Sequence, residues 1–168
     1  MDAYIGLGSN LDDPLQHVLD GIDELRKLPN SNFLVFSAIY RSSPMQGKGV
    51  PEQADFINAV ARIDTELDPE ALLTALQQIE SSHGRVRNGQ HWGPRTLDLD
   101  LLLYGDHILN TRQLTLPHPG LCDRDFVLQP LSDINPGLKI PGKNSLSLLL
   151  ESCKSHQLKK IMTIKQDV

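Results

Sequence analysis

The chain is built around RTLDLDLLLY at residues 95–104. Apolar and polar residues alternate along this segment and then give way to a short apolar run, a pattern that predicts a β-strand. Side chains alternate between the two faces of a strand, so Thr96, Asp98 and Asp100 share one face. The residues predicted on the other face, where we expect the core, are Leu97, Leu99, Leu101 and Leu103. The strand therefore presents two neighbouring carboxylates on one face.

These two carboxylates indicate a divalent cation. They lie about 7 Å apart along the strand, and without a counter-charge they would repel each other. Mg²⁺ removes that repulsion, because it takes one or two protein carboxylates and completes its shell with water and substrate phosphates. Arg85 and Arg87 precede the strand, and Arg95 opens it. Guanidinium groups beside a carboxylate pair favour a polyphosphate substrate, so the sequence indicates nucleotide chemistry.

The composition fits a single domain over residues 1–168, with 39% hydrophobic and 22% charged residues. The formal net charge of −5 opposes a general affinity for nucleic acid. Cys122 and Cys153 lack metal-type spacing and indicate free thiols in a reducing compartment. No apolar run is long enough to span a bilayer, and the N-terminus lacks a signal-peptide pattern. We therefore expect a cytoplasmic monomer with small-molecule substrates and with no nucleic-acid or membrane partner.

The order of predicted elements indicates the fold class. Ahead of the strand at residues 95–104 we predict strands at 3–8, 33–40 and 55–63, and helices that begin at Pro14 and Pro69. The resulting β-α-β-β-α-β order predicts an α+β fold, a ferredoxin-like α/β sandwich with an antiparallel sheet. The remainder forms a C-terminal extension with short helices, and we expect its polar tail after residue 159 to fray.

The strand at residues 55–63 carries an amide whose role has two interpretations. Alternation places Phe56 and Asn58 on one face. The residues predicted on the opposite face are Ile57, Ala59, Ala61 and Ile63. Asn58 is either a satisfied polar group near the sheet edge or a hydrogen-bonding reader of a flat heterocycle, and both interpretations stay open on the sequence alone.

Six stretches together resemble the 6-hydroxymethyl-7,8-dihydropterin pyrophosphokinase family of folate biosynthesis. They are YIGLGSNL at 4–11, YRS at 40–42, FINA at 56–59, GRVR at 84–87, WGPRTLDLD at 92–100 and LPHP at 116–119. The Arg-x-x-Asp-x-Asp strand with Trp-Gly-Pro just ahead of it is the most specific of these motifs. Asp-x-Asp alone also occurs in sugar transferases, so the resemblance depends on the whole set, which covers nearly the entire chain.

The resemblance implies transfer of the pyrophosphoryl group of ATP to the hydroxymethyl oxygen of the dihydropterin, with release of AMP. It implies ATP as co-substrate and two Mg²⁺ ions ligated by Asp98 and Asp100. The catalytic residues that it implies are Arg85, Arg95, Asp98 and Asp100. The implied ATP contacts are Gln77, Glu80, Arg85, Arg87, Trp92, Arg95, Leu101, Thr115, His118 and Arg124. The implied pterin contacts are Ser42, Ser43, Pro44, Met45, Phe56, Asn58, Trp92, Asp98 and Phe126.

Two other classes of function stay open. Another Mg²⁺-dependent transferase could use an Asp-x-Asp strand on a nucleotide, and its products would distinguish it from a pterin pyrophosphokinase. A non-catalytic ferredoxin-like module could bind nucleic acid, but that function needs basic charge and stacking aromatics on the sheet. The net charge of −5 and an aromatic content of 5% oppose it.

Overall fold

The computed structural model describes residues 1–44, 53–84, 96–153 and 155–163. The strands are β1 (Asp2–Ser9), β2 (Ser31–Phe36), β3 (Ile39–Ser42), β4 (Phe56–Thr65), β5 (Asp98–Tyr104), β6 (Leu109–Asn110), β7 (Thr115–Leu116) and β8 (Lys159–Met162). The helices are α1 (Pro14–Arg26), α2 (Pro69–Ser82), α3 (Asp125–Ile134) and α4 (Leu146–Ser152), with a 3₁₀ turn at Leu121–Asp123. Within these ranges, no helix has the length and apolar character needed to cross a membrane.

Six strands form one antiparallel sheet in the order β5-β1-β4-β3-β8, and β2 pairs with β4 beside β3. Helix α1 connects β1 to β2 and helix α2 connects β4 to β5, and in each case the two connected strands run parallel to each other. Both helices pack against the sheet, α1 on β1 and β4 and α2 on β5. Asp68 caps α2 by accepting a hydrogen bond from the Ala71 N–H, and Pro69 follows as the first helical residue. This is the predicted ferredoxin-like α+β sandwich, with α3, α4 and β8 as the C-terminal extension.

The sheet has two faces, each with its own hydrophobic cluster. The α1/α2 face buries Ile57, Ala59, Ala61 and Ile63 of β4, as their alternation predicts, together with side chains such as Leu72 and Leu76 of α2. The α3/α4 face buries a second cluster that includes Tyr4, Val60, Leu102, Leu128 and Leu131. The helices of the extension cover only part of this second face, which leaves room for a cavity.

A β-bulge in β5 overturns one predicted face assignment. Tyr4 of β1 pairs with Leu103, whereas the next residue, Ile5, pairs with Leu101, so Leu102 is an extra residue in β5. Leu97, Leu99 and Leu101 lie in the α1/α2 core as predicted. Leu103 was predicted with them, but it belongs to the opposite cluster. The prediction was wrong because strict alternation cannot show where an inserted residue reverses the faces.

Two other strand predictions need correction. The single strand predicted at residues 33–40 is divided into β2 and β3 at Ser37, which is 2% exposed. Two hydrogen bonds join Ser37 to Val60 of β4. The Ser37 N–H donates to the Val60 carbonyl (2.8 Å), and the Val60 N–H donates to Ser37 Oγ (2.9 Å).

Residues 160–162 of the tail that was expected to fray belong to β8 instead, and residues 164–168 of that tail lie outside the described residues. This strand pairs with β3 through Ile39–Met162 and Tyr40–Lys160. An edge strand offers a row of backbone hydrogen-bonding groups, so pairing with β8 satisfies groups of β3 that a frayed tail would leave to solvent.

Candidate active site

A cavity of about 470 Å³ lies over the part of the α3/α4 face that the extension leaves uncovered. Its walls bring together nine residues that the sequence predicts as site residues. They are Ser42, Ser43, Phe56, Asn58, Asp98, Asp100, His118, Arg124 and Phe126. These residues come from β3, β4, β5, the segment after β7 and the start of α3, so the fold gathers parts of the chain that are far apart in sequence.

Glycines of β1 form the floor of this cavity. Gly8 pairs with Asn58 of β4 on one side and with Asp98 of β5 on the other, so the three residues lie in a row across the sheet. Gly6 likewise pairs with Asp100. A Cβ on Gly8 would lie 3.3 Å from Asn58 Oδ1, so a side chain there would crowd the cavity between the amide and the carboxylate. Two strand spacings separate Asn58 from Asp98, which places the two ends of the row about 10 Å apart.

His118 faces the carboxylates in its neutral form. Its Nε2 lies 3.8 Å from Asp100 Oδ1. Burial and, to a smaller extent, the nearby Arg124 guanidinium lower the pKa of the His118 imidazole to about 4, while Asp98 opposes the shift. The Gly120 N–H donates to His118 Nδ1 (3.1 Å), so the ring proton belongs on Nε2. His118 therefore presents an N–H donor towards the carboxylate side of the cavity.

The backbone around His118 is fixed by the β5 bulge. The His118 N–H donates to the carbonyl of Leu102, the inserted residue (2.9 Å). The sequence alone could not reveal this contact, because it depends on the irregular residue of β5.

Arg124, at the start of α3, places a positive charge on the wall of this cavity. Its guanidinium packs over Gly120 so closely that a Cβ on that glycine would lie 2.5 Å from Arg124 Cζ. The guanidinium carbon also lies 5.9 Å from the centre of the Phe126 ring. The side chain thus borders both the phenyl ring and the carboxylate region, a position suited to an anionic group bound between them.

Asn58 and Ser42 are coupled on the opposite side of the floor. Asn58 is 5% exposed, and its Nδ2 donates to Ser42 Oγ (2.7 Å). The Asn58 carbonyl oxygen lies over Gly8, facing the cavity. Because Ser42 Oγ accepts from the amide, its hydroxyl proton can be donated elsewhere. The pair thus offers an acceptor and a donor to a flat polar heterocycle.

Other predicted site residues lie elsewhere. Leu101 is 2% exposed in the α1/α2 core, and Thr115 belongs to β7. Glu80 is 2% exposed on α2 and accepts from the Leu99 N–H of the sheet edge (2.9 Å). Gln77 and Pro44 are described but do not line the cavity. The predicted residues Met45, Arg85, Arg87, Trp92 and Arg95 lie outside the described residues.

The donor set fits Mg²⁺ better than a metal held by the protein alone. Across the described ranges, no cluster of three or more His, Cys, Asp or Glu side chains is arranged to hold an ion. Asp98 and Asp100 nevertheless offer hard carboxylate oxygens on one face of β5. Mg²⁺ is bound in this way when substrate phosphates and water complete its shell, so the pair fits a cation that arrives with a nucleotide.

Several lining residues were missed by sequence reasoning. Gly6, Gly8 and Gln53 line the cavity. Gln53 Oε1 accepts from Asn10 Nδ2 (2.7 Å), which holds it beside the turn that follows β1. The alternating glycines of β1 were the available signal, since a glycine inside a strand often marks a close approach of another group.

Fold and site together define a class of enzyme. A sandwich with paired carboxylates, a guanidinium and an imidazole donor around one cavity has the features of an enzyme that transfers phosphate groups. The sequence model of the 7,8-dihydro-6-hydroxymethylpterin-pyrophosphokinase (HPPK) family matches residues 4–136, and the chain belongs to this family. The predicted function, a diphosphotransferase of folate synthesis, is thereby confirmed.

Two relatives agree with this assignment, and a solved structure agrees with the fold. The chain is 41% identical over 159 residues to the 2-amino-4-hydroxy-6-hydroxymethyldihydropteridine pyrophosphokinase of Haemophilus influenzae, covering 95% of this chain and 97% of that protein. It is 43% identical over 151 residues to the pyrophosphokinase of the same name from Pseudomonas aeruginosa, covering 90% and 91%. Plasmodium falciparum HPPK-DHPS with pterin and p-hydroxybenzoate has a TM-score of 0.68 at 15% identity, covering 89% of this chain and 42% of that longer chain. At that identity the structural likeness supports the fold alone.

Proposed function

We propose that the cavity binds the dihydropterin and the phosphates of ATP side by side on the glycine floor of β1. The row from Asn58 through Gly8 to Asp98 carries this proposal. An amide lies at one end of the row and a carboxylate at the other, and the glycine between them leaves space for the ligand. The two ends are about 10 Å apart, so a pterin read at the amide end can extend its hydroxymethyl group towards the carboxylates.

The amide end suits the pterin. The Asn58 carbonyl accepts from ring or exocyclic N–H groups, and the Ser42 hydroxyl donates to a ring acceptor. Phe126 and Phe56 line the same cavity and offer aromatic surface to a flat ring. Such a site discriminates strongly against a heterocycle that lacks the matching groups, because buried polar side chains would lose their partners.

The carboxylate end suits the polyphosphate. Asp98 and Asp100 would hold two Mg²⁺ ions through their carboxylate oxygens. Those ions supply charge neutralisation for the phosphates when bound there. The Arg124 guanidinium provides a further positive group, and His118 Nε2–H donates to a phosphate oxygen.

Positioning and charge stabilisation then account for the reaction. The pterin hydroxyl oxygen forms a bond to the β-phosphorus of ATP and gives up its proton to water, the bond between the bridging oxygen on the α-phosphate and the β-phosphorus breaks, and AMP leaves. Transfer of this kind needs alignment of the attacking and leaving oxygens more than covalent help from the protein. The protein contributes by holding the pterin at Asn58 and the phosphates near Arg124 and His118.

The proposed function is tested by the products of purified protein with ATP and Mg²⁺. We expect AMP to form only when 6-hydroxymethyl-7,8-dihydropterin is present, in equal amount with the pterin diphosphate. Nucleotide turnover that does not depend on the pterin would overturn the proposal and favour another Asp-x-Asp transferase. We further propose that one domain carries the reaction and that the enzyme acts as a monomer. We also propose that it has no nucleic-acid partner, since the net charge of −5 opposes binding to phosphate backbones.

A further inference from the structure

The C-terminal segment between α4 and β8 contacts both walls of the pterin end of the cavity. The carbonyl of His156 accepts two hydrogen bonds from Ser43, one from its backbone N–H and one from its Oγ–H (2.9 Å each). The His156 ring meets Phe126 edge to face, with centroids 5.2 Å apart and planes at 83°. Since Ser43 and Phe126 line the cavity, a single residue behind it touches one residue of each wall.

Asp125 fixes His156 in this place. Its Oδ2 accepts from the His156 backbone N–H (2.9 Å), and its Oδ1 lies 2.8 Å from His156 Nδ1. An ionised carboxylate can only accept, so Nδ1 carries a proton. The side chains of His156 and Asp125 are 10% and 15% exposed, so solvent screens this charge-assisted contact much less than it would a surface pair.

The two cavity residues that His156 contacts, Ser43 and Phe126, belong to the pterin end. Asp125 directly precedes Phe126 in the first turn of α3, so holding Asp125 also fixes where the phenyl ring stands. Ser43 directly follows β3. Strand β3 pairs with β8, which follows His156 in the same C-terminal segment. The contacts of His156 with Ser43, Asp125 and Phe126 all lie on this side of the cavity. Both cavity residues that His156 contacts belong to the pterin end, so a change at His156 should act more on pterin binding than on phosphate binding.

We propose that His156 is a positioning residue that sets the separation between Ser43 and Phe126 and thereby the affinity for the pterin. The Asp125–His156 pair acts as a brace between the start of α3 and the end of β3. This inference rests on the proposed function, because it takes Ser43 and Phe126 as walls of the pterin site. It assigns to the C-terminal extension a role in substrate affinity as well as in covering the sheet.

The test compares pterin and nucleotide binding in three variants of the full chain. In His156→Ala we expect pterin affinity to fall about tenfold, because the brace loses its charge-assisted bond and its ring contact. Affinity for a non-hydrolysable ATP analogue and kcat should stay within about twofold of wild type. His156→Asn can place an amide N–H near Asp125 Oδ1, so we expect it to stay within about threefold of wild type. Asp125→Asn removes the charge from the other partner and should weaken pterin binding more than nucleotide binding.

His107→Ala is the matched control. His107 is an exposed histidine whose ring also meets an aromatic edge to face, that of Tyr104 at 5.1 Å, but it does not line the cavity. This variant should bind both ligands as wild type does.

The outcomes separate the inference from the proposed function. Unchanged pterin affinity in a folded His156→Ala protein would overturn the inference, and so would an equal loss of pterin and nucleotide affinity. If His156→Ala fails to fold, Asp125→Asn decides by the same criteria. Pterin-independent turnover by the wild-type protein would instead contradict the proposed function.

Discussion

The two faces of the central sheet are built from the same strands and serve different ends. On the α1/α2 face, Leu72, Leu76 and Leu97 are fully buried in a closed apolar core. On the α3/α4 face, the same strands present Asp98 and Asn58 to a cavity. Successive side chains of a strand point to opposite faces, so one strand can contribute to the apolar core and to the cavity at the same time. The apolar side chains of each site strand thereby anchor the polar ones. Packing on the closed face thus holds in place the strands that present polar side chains to the cavity on the other face.

The polar face lowers stability where it supports function. Two carboxylates on one strand face repel each other when no cation lies between them. Groups that are set up for function commonly reduce stability in this way. Substitutions on the cavity face should therefore lower turnover without unfolding the protein. Substitutions on the closed face should lower the free energy of unfolding without changing the site.

The largest effect is expected for the carboxylates. Asp98→Asn and Asp100→Asn should each lower kcat/KM by about a thousandfold, or about 4 kcal/mol, because phosphate transfer loses its charge stabilisation. Their free energy of unfolding should stay high enough for the variants to remain folded, since neither side chain belongs to the hydrophobic clusters. Steady-state AMP release and urea unfolding measure the two quantities. Asp106→Asn, in the exposed turn after β5, is the control. Near-normal turnover in either site variant would remove the carboxylates from the chemistry.

The next effect belongs to the closed face. Leu76→Ala on α2, at a fully buried position, should cost about 3 kcal/mol of unfolding free energy through lost burial and a cavity. The folded variant should keep the wild-type KM for both substrates. Leu148→Ala on α4, which is 54% exposed, should change stability by less than about 0.5 kcal/mol. A raised KM in Leu76→Ala, measured well below its melting temperature, would show that the faces are not independent.

A smaller effect concerns pH. The pKa of His118 falls to about 4 in the folded protein, so the unfolded chain binds the proton more readily. Its contribution to stability is present above the unfolded value near 6.5 and is lost as pH falls towards 4. In metal-free buffer, wild type should lose about 2 kcal/mol more than His118→Asn between pH 7 and pH 4. The free energy of unfolding is measured by urea titration at each pH. An equal pH dependence in wild type and His118→Asn would refute the buried, neutral imidazole. The control variant, His107→Asn, should follow wild type.

The smallest effect tests the packing of Arg124. Gly120→Ala would place a Cβ 2.5 Å from Arg124 Cζ, so the guanidinium must move away from the cavity. We expect affinity for the ATP analogue to fall about fivefold, or about 1 kcal/mol. Gly137→Ala is the control, because a Cβ there meets nothing within 4 Å. Calorimetry that finds no difference between the two alanine variants would show that Arg124 does not need its present position.

Much of the fold was predictable because its signals are local. Alternation along β4 correctly placed Ile57, Ala59 and Ile63 in the core, and Asp68 with Pro69 marked the start of α2. The apolar run in β5 hid the inserted Leu102, because neighbouring leucines look the same on either face. The break at Ser37 and the pairing of β8 with β3 depend on partners elsewhere in the sheet, so no local pattern reveals them.

The site divides in the same manner. Motifs were sufficient to predict nine residues that share the cavity, including His118 and Arg124. They were not sufficient for the contacts that hold those residues. His156 is separated from Asp125 by 31 residues and from Ser43 by 113, and only the folded chain brings them together. The positions of the predicted residues outside the described ranges stay predictions.

We expect the carboxylate pair on the polar face of β5 to bind the nucleotide through Mg²⁺. Calorimetric titration of a non-hydrolysable ATP analogue, with and without Mg²⁺, tests it directly in wild type and in Asp98→Ala. We expect tight binding by wild type only when Mg²⁺ is present, and loss of that dependence in the variant while its melting temperature is maintained. Unchanged Mg²⁺-dependent binding in Asp98→Ala would contradict the claim.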